Sequence, residues 1–167
     1  MRMRRQRGNS LLETALFVPV LILLLVGMVE LARITYTYYT LHKTLYTLAR
    51  YLGTQQNVSF CHSGDAAVVA AKNWALTGST DNSTDTVLTG LTPDMIQIRV
   101  ERYNVDTQDL GECACSVTGC DTSTGGQRPD FIVVSIPNGF PIQPNFPYMV
   151  TQPILFRPQI RVPFGGT

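Results

Sequence analysis

Three groups of residues in this 167-residue chain have types and spacings suited to chemistry. The first is Gly8, Asn9 and Glu13. Glu13 stands near the start of an apolar run from Leu11 to Ala32 whose only other charge is Glu30. In a membrane helix such a carboxylate costs roughly 2.5 kcal/mol or more unless it is neutralised or paired. A cut after Gly8 would create an amine on Asn9 one helical turn from Glu13. The amine of one copy could then pair with the carboxylate of a neighbour.

The second group is the cysteines. Cys113, Cys115 and Cys120 cluster, and Cys61 lies far from them in sequence. Four cysteines permit three pairings. A bond from Cys113 or Cys115 to Cys120 would staple their loop, while a bond from Cys61 would tie that loop to the end of the preceding helix; one of each is expected. The rival reading is zinc, with Cys61 or His62 completing a tetrahedral set. No Cys-x-x-Cys knuckle is present, and the side of the membrane assigned below favours oxidation, so neither a metal nor another cofactor is expected.

The third group is acidic and imidazole residues. Asp106, Asp109, Glu112 and Asp121 lack EF-hand spacing and read as a solvated acidic loop. His42 and His62 fall in no nucleophile, acid-base or metal pattern, and no glycine loop for phosphate appears. The chain is therefore not expected to be an enzyme. Asn57-Val58-Ser59 and Asn82-Ser83-Thr84 match the glycosylation acceptor pattern, which at this length arises readily by chance.

The elements that position these residues begin with a helix. Leu11 to Ala32 is long and apolar enough to cross a bilayer, and Arg2, Arg4, Arg5 and Arg7 keep the N-terminus on the cytoplasmic side. Pro19 removes one backbone hydrogen bond and loosens the helix locally. Gly27 offers a place for close helix approach, and Tyr36, Tyr38 and Tyr39 stand where aromatic residues anchor at the interface. Leu31, Ile34, Tyr38, Leu41, Leu45, Leu48 and Leu52 then continue one helical stripe, with Thr37, Thr40, Lys43, Thr44, Thr47 and Arg50 opposite. Gly53 is the stop. From Leu12 to Leu52 such a helix measures about 60 Å.

Beyond it, Asp65 to Leu76 reads as a shorter helix capped by Ser63, with Ala66, Val69, Ala70 and Trp74 on one face. The polar stretch from Gly78 to Asp94 reads as an exposed loop. Ile96, Ile98 and Val100 alternate with Gln97, Arg99 and Glu101, as in a half-buried strand. Phe131 to Ile136 is apolar and β-branched, as in a central strand covered on both faces. Prolines between Pro137 and Pro153 predict a long loop, and Pro153, Pro158 and Pro163 confine a last strand from Ile154 to Val162 to an edge. The expected fold is α+β, a long helix on a small, mostly antiparallel sheet with a short helix.

Composition bounds the rest. One membrane helix and one small domain fit the length. The net charge of +1 changes if residues 1–8 are removed, because four of 13 basic residues go and nine remain against 12 acidic ones. No basic patch for nucleic acid is left.

The N-terminal pattern resembles a type IV prepilin signal: a short basic leader ending in Gly8, and Glu13 at the fifth position after it. A secretory signal peptide places its cleavage site after the apolar region, whereas Gly8 precedes it, so the helix survives processing. Glu13-Thr14-Ala15-Leu16-Phe17-Val18-Pro19, the leucine-rich run to Gly27, and Glu30-Leu31-Ala32-Arg33 are similar to the signature of TadE-like pseudopilins of the tight-adherence (Flp-type) pilus. The resemblance is carried by about the first third of the chain.

It implies a leader at 1–8, a transmembrane helix at 9–32 and an exported pilin-like domain at 33–167, with a helical spine at 33–52 and a head at 53–167. It also implies a minor pilin in the bacterial inner membrane, single-pass, with its C-terminal domain extracytoplasmic or carried into the surface pilus. Gly8 and Asn9 would define the cut, and Glu13 would serve assembly. The implied partners are a prepilin peptidase, other pilin or pseudopilin subunits, the inner-membrane assembly platform and the lipid bilayer. A membrane-anchored, non-polymerising binding module or adhesin would share this topology and differ in not needing Glu13.

Overall fold

The computed structural model describes residues 4–56, 58–62, 64–79, 86–115, 119–121, 125–146 and 151–165, with side chains from residue 11 onward. The chain divides into two compact units. One comprises Met1–Tyr36 with Ile142–Ile154, the other Thr37–Pro141 with Leu155–Thr167.

Helix α1 runs from Arg4 to Leu52. It starts a turn or two earlier than Leu12, because the arginines and glutamine ahead of the apolar run are themselves good helix formers, and it continues through Pro19. In the first unit its apolar residues face outward: Leu11, Leu16, Leu23 and Val29 are each about two-thirds or more exposed. Leu31, expected on the buried stripe, is exposed as well.

In the second unit the stripe is buried from Leu41 onward. Leu41, Leu45, Leu48, Ala49 and Leu52 are fully buried. Thr44, expected on the opposite surface, is also buried; it lies next to Leu45 and one turn from Leu41 and Leu48, so the wide apolar face takes it in. Tyr38 remains partly exposed and rests tilted against Phe156, ring centroids 5.5 Å apart. Gly53 ends the helix through its N–H to the Ala49 carbonyl at 2.9 Å. A Cβ there would stand 3.3 Å from the carbonyl oxygens of both Ala49 and Pro163, so close backbone approach favours glycine.

Helix α2 spans Ala66–Thr77. Asp65 is its N-cap, accepting from the N–H groups of Ala67 and Val68; the expected cap, Ser63, lies outside the described residues. The buried face is Val68, Ala71, Ala75 and Leu76, with Val69 exposed. This corrects the face expected through Ala66, Val69 and Ala70. The segment is apolar nearly all round, so periodicity alone does not choose between faces. Trp74 still packs, 5.3 Å from the Tyr51 ring. Gly78 takes the left-handed cap conformation, φ 76°.

Four strands form an antiparallel sheet in the order β2-β1-β3-β6: β1 Gln97–Asn104, β2 Asp109–Glu112, β3 Phe131–Ser135 and β6 Gln159–Pro163. The register places Val100 opposite Ile132 and Ile132 opposite Val162, and Ile98, Val134 and Ile160 likewise stand in one row. Directly paired residues share a face, so these rows make the apolar side of the sheet. The other side carries Arg99, Val133 and Arg161 in one row and Glu101 and Phe131 in the next. Arg161 pairs with Glu101 at 2.7 Å and lies 6.0 Å from the Phe131 ring centroid. The central strand is therefore covered on both faces as expected, but charged side chains with long apolar stems supply the second cover.

Other expectations need correction. The stretch after Gly78 is not all exposed loop, since Leu88 and Leu91 are buried and a 3-10 turn forms at Pro93–Met95. Lys72 donates to the carbonyls of Pro93 and Ile96 at 3.1 and 3.0 Å, holding this turn to α2. The acidic loop holds a strand: Asp109 and Glu112 bound β2, which makes a hairpin with β1 through a turn containing Gln108 at φ 54°. The proline-rich stretch contains β4, Phe140–Ile142, which pairs with β5, Ile154–Phe156, in a two-stranded sheet. The expected last strand is thus split. Pro158 lacks an N–H, and its carbonyl accepts from Ile136 between β5 and the edge strand β6.

Candidate functional site

The sequence points to the N-terminal helix as the functional element. Gly8 and Asn9 lie within α1, where the backbone alone is described. Glu13 lies one turn later, exposed, on a surface made almost wholly of apolar side chains. The helix from Leu11 holds an 18-residue window of mean hydropathy 2.6, of which 6% is buried. The core helix of a soluble protein would be mostly buried; among the described residues this apolar surface has little cover. At Gly27 a Cβ would meet nothing within 4 Å, so the chain's own packing does not require glycine there.

The second charge of the apolar run is built differently. Glu30 is 6% exposed. Its Oε1 accepts from the Arg33 guanidinium at 2.6 Å and from the Asn145 backbone N–H at 2.9 Å. Arg33 also donates to the Gln143 carbonyl. Two charge-assisted donors on one carboxylate provide the pairing that a shielded charge needs. The need for a partner that the apolar run imposes on Glu13 holds equally at Glu30. Glu30 and Arg33, three residues apart on a helix, were the available signal; the contact to Asn145, 115 residues away, had none.

All four cysteines are paired. Cys61 bonds Cys115 across a sequence separation of 54, and Cys113 bonds Cys120 across seven. This is the expected combination of one long-range tie and one local staple. In these bonds none of the four sulfurs is a free thiol of the kind a zinc site uses. Among the described residues no cluster of histidine, cysteine and carboxylate side chains is arranged for a metal. Disulfides persist in oxidising compartments, which suggests an extracytoplasmic location for this part of the chain.

Ser59, His62 and Asp65 meet in the connector, a serine-histidine-aspartate set by type. Ser59 Oγ lies 2.9 Å from His62 Nδ1. The Asp65 carboxylate, however, accepts the backbone N–H groups of Ser59, Ala67 and Val68. It orients helix α2 and the connector rather than the imidazole, so the relay that a triad requires is not formed. Asn57 and the second acceptor pattern at 82–84 lie outside the described residues.

No curated protein and no solved structure matches the chain. Over residues 8–50, the segment that carries Gly8, Asn9, Glu13, Pro19, Gly27 and the Glu30–Arg33 pair, the chain matches the TadE-like protein family.

Proposed function

We propose that this protein is a minor pilin, or pseudopilin, of a tight-adherence (Flp-type) pilus or a related secretion or adhesion filament. TadE-like proteins are generally non-enzymatic pilus components. The observation that carries the reading is the coincidence of the family match at residues 8–50 with a helix whose apolar surface is left largely uncovered by the described residues. The chain is inserted with its N-terminus cytoplasmic and its disulfide-bonded portion extracytoplasmic, in a bacterial inner membrane. A prepilin peptidase cuts between Gly8 and Asn9.

The amine freed on Asn9 and the carboxylate of Glu13 on a neighbouring subunit then pair. Because an unpaired carboxylate is costly in the bilayer, pairing favours helices bundled in register. Pro19 is tolerable in such a bundle, where neighbouring helices cover the backbone it opens, and Gly27 permits close approach. Other pilin subunits and the inner-membrane assembly platform are the partners.

Two substitutions test this. Gly8→Ile should leave full-length, membrane-bound protein with its leader attached. Glu13→Ala should be processed and inserted normally yet be lost from sheared surface filaments. Normal trimming of the first variant would remove the processing step from the account. Undiminished incorporation of the second would favour an anchored binding module instead.

A further inference from the structure

The position of Glu30 along α1 fixes how deep its partners lie. From Leu11, Glu30 is about 29 Å and Arg33 about 33 Å along the helix axis at 1.5 Å per residue. The hydrocarbon core is about 30 Å thick, so the pair stands at its outer boundary when the apolar run spans it. The Glu30 carboxylate accepts the Asn145 N–H, and Arg33 donates to the Gln143 carbonyl. Residues 143–145 must therefore sit at the same depth, and all of these residues belong to one compact unit.

The next residue in the chain, Phe146, is 37% exposed and belongs to the same unit as outward-facing Leu31. We propose that Glu30 and Arg33 hold this segment on the outer surface of the bilayer, so that Phe146 contacts lipid beside the helix. The occupant is the lipid surface because Phe146 directly follows Asn145, whose N–H Glu30 holds at the level where α1 leaves the membrane. Pinning the backbone of residues 143–145 by two polar side chains satisfies groups that could not be left open at that depth. The chain would thus have a second point of membrane contact besides its helix.

This inference rests on the reading of α1 as membrane-spanning, and the test separates the two. A Trp74→Phe background removes the chain's one tryptophan, after which Leu24→Trp and Phe146→Trp are compared in phosphatidylcholine–phosphatidylglycerol vesicles. Quenchers are lipids brominated near the glycerol or near the chain end, and aqueous iodide. The proposal expects the probe at 146 to lose most of its emission to the shallow bromolipid and little to the deep one. Adding Glu30→Ala should restore that emission and expose the probe to iodide. If the probe at 24 is quenched by deep bromolipid while the probe at 146 responds only to iodide, the span stands and the proposal falls, leaving Phe146 to a protein neighbour. Unchanged shallow quenching in the Glu30→Ala variant would overturn the role of Glu30. An unquenched probe at 24 would overturn both.

Discussion

The carboxylate of Glu30 accepts the backbone N–H of Asn145, 115 residues further along the chain, at 2.9 Å. The same oxygen holds Arg33. One side chain therefore joins the N-terminal helix to a segment near the other end of the sequence. Glu30→Ala is expected to leave the Asn145 amide without its acceptor. Hydrogen exchange at that amide should accelerate, while amides in β3 keep their protection because they belong to the other compact unit.

The two disulfides should differ in what they contribute. Constraining the unfolded chain over the 54-residue separation of Cys61 and Cys115 is worth about 4 kcal/mol, against about 2 kcal/mol for the seven-residue separation of Cys113 and Cys120. Denaturant unfolding of the paired serine variants is expected to rank them in that order. The double removal should not be additive, since Cys113 and Cys115 flank one residue of the same loop.

Gly126 and Gly111 offer a contrast in backbone packing. A Cβ at Gly126 would lie 2.6 Å from the carbonyl oxygens of Asp121 and Gly119, whereas one at Gly111 would meet nothing within 4 Å. Gly126→Ala must displace backbone in the disulfide loop and is expected to destabilise by about 2 kcal/mol or more; Gly111→Ala should stay within about 0.5 kcal/mol. Thermal unfolding of the two variants checks the difference.

Burial pushes the Lys72 ammonium below the ordinary lysine range, and nearby Asp94 partly opposes the shift. Between its lowered folded value and the ordinary range near 10.4, the unfolded chain binds more protons than the folded one. Stability contributed through this group is therefore complete above the ordinary range and is lost as pH falls through the folded value. Lys72→Arg stays charged throughout. Wild-type protein should accordingly gain stability relative to Lys72→Arg as pH is raised toward 10.4, in parallel urea titrations.

Much of this architecture was legible because strong periodic signals coincided with physical necessity. Leu41, Leu45, Leu48 and Leu52 recur at helical spacing and are buried, Gly53 stops the helix, and Phe131–Ser135 is the central strand. One long tie and one local staple among the cysteines followed from compartment and spacing; which of Cys113 and Cys115 bonds Cys120 did not. What stayed hidden depends on partners far away in sequence. Asp109–Glu112 has a loop's composition and is a strand because β1 offers it an edge. The buried face of α2 was ambiguous because nearly all its positions are apolar. Gly8, Asn9 and Glu13 were legible as a pattern, but the contact proposed for Glu13 would lie between subunits, and one chain does not display it.

The measurement bearing most directly on the account is N-terminal sequencing of the protein recovered from cell membranes and from sheared surface filaments. The account predicts Asn9 as the first residue in both fractions. Filament-borne protein that begins at Met1, with residues 1–8 still attached, would contradict it.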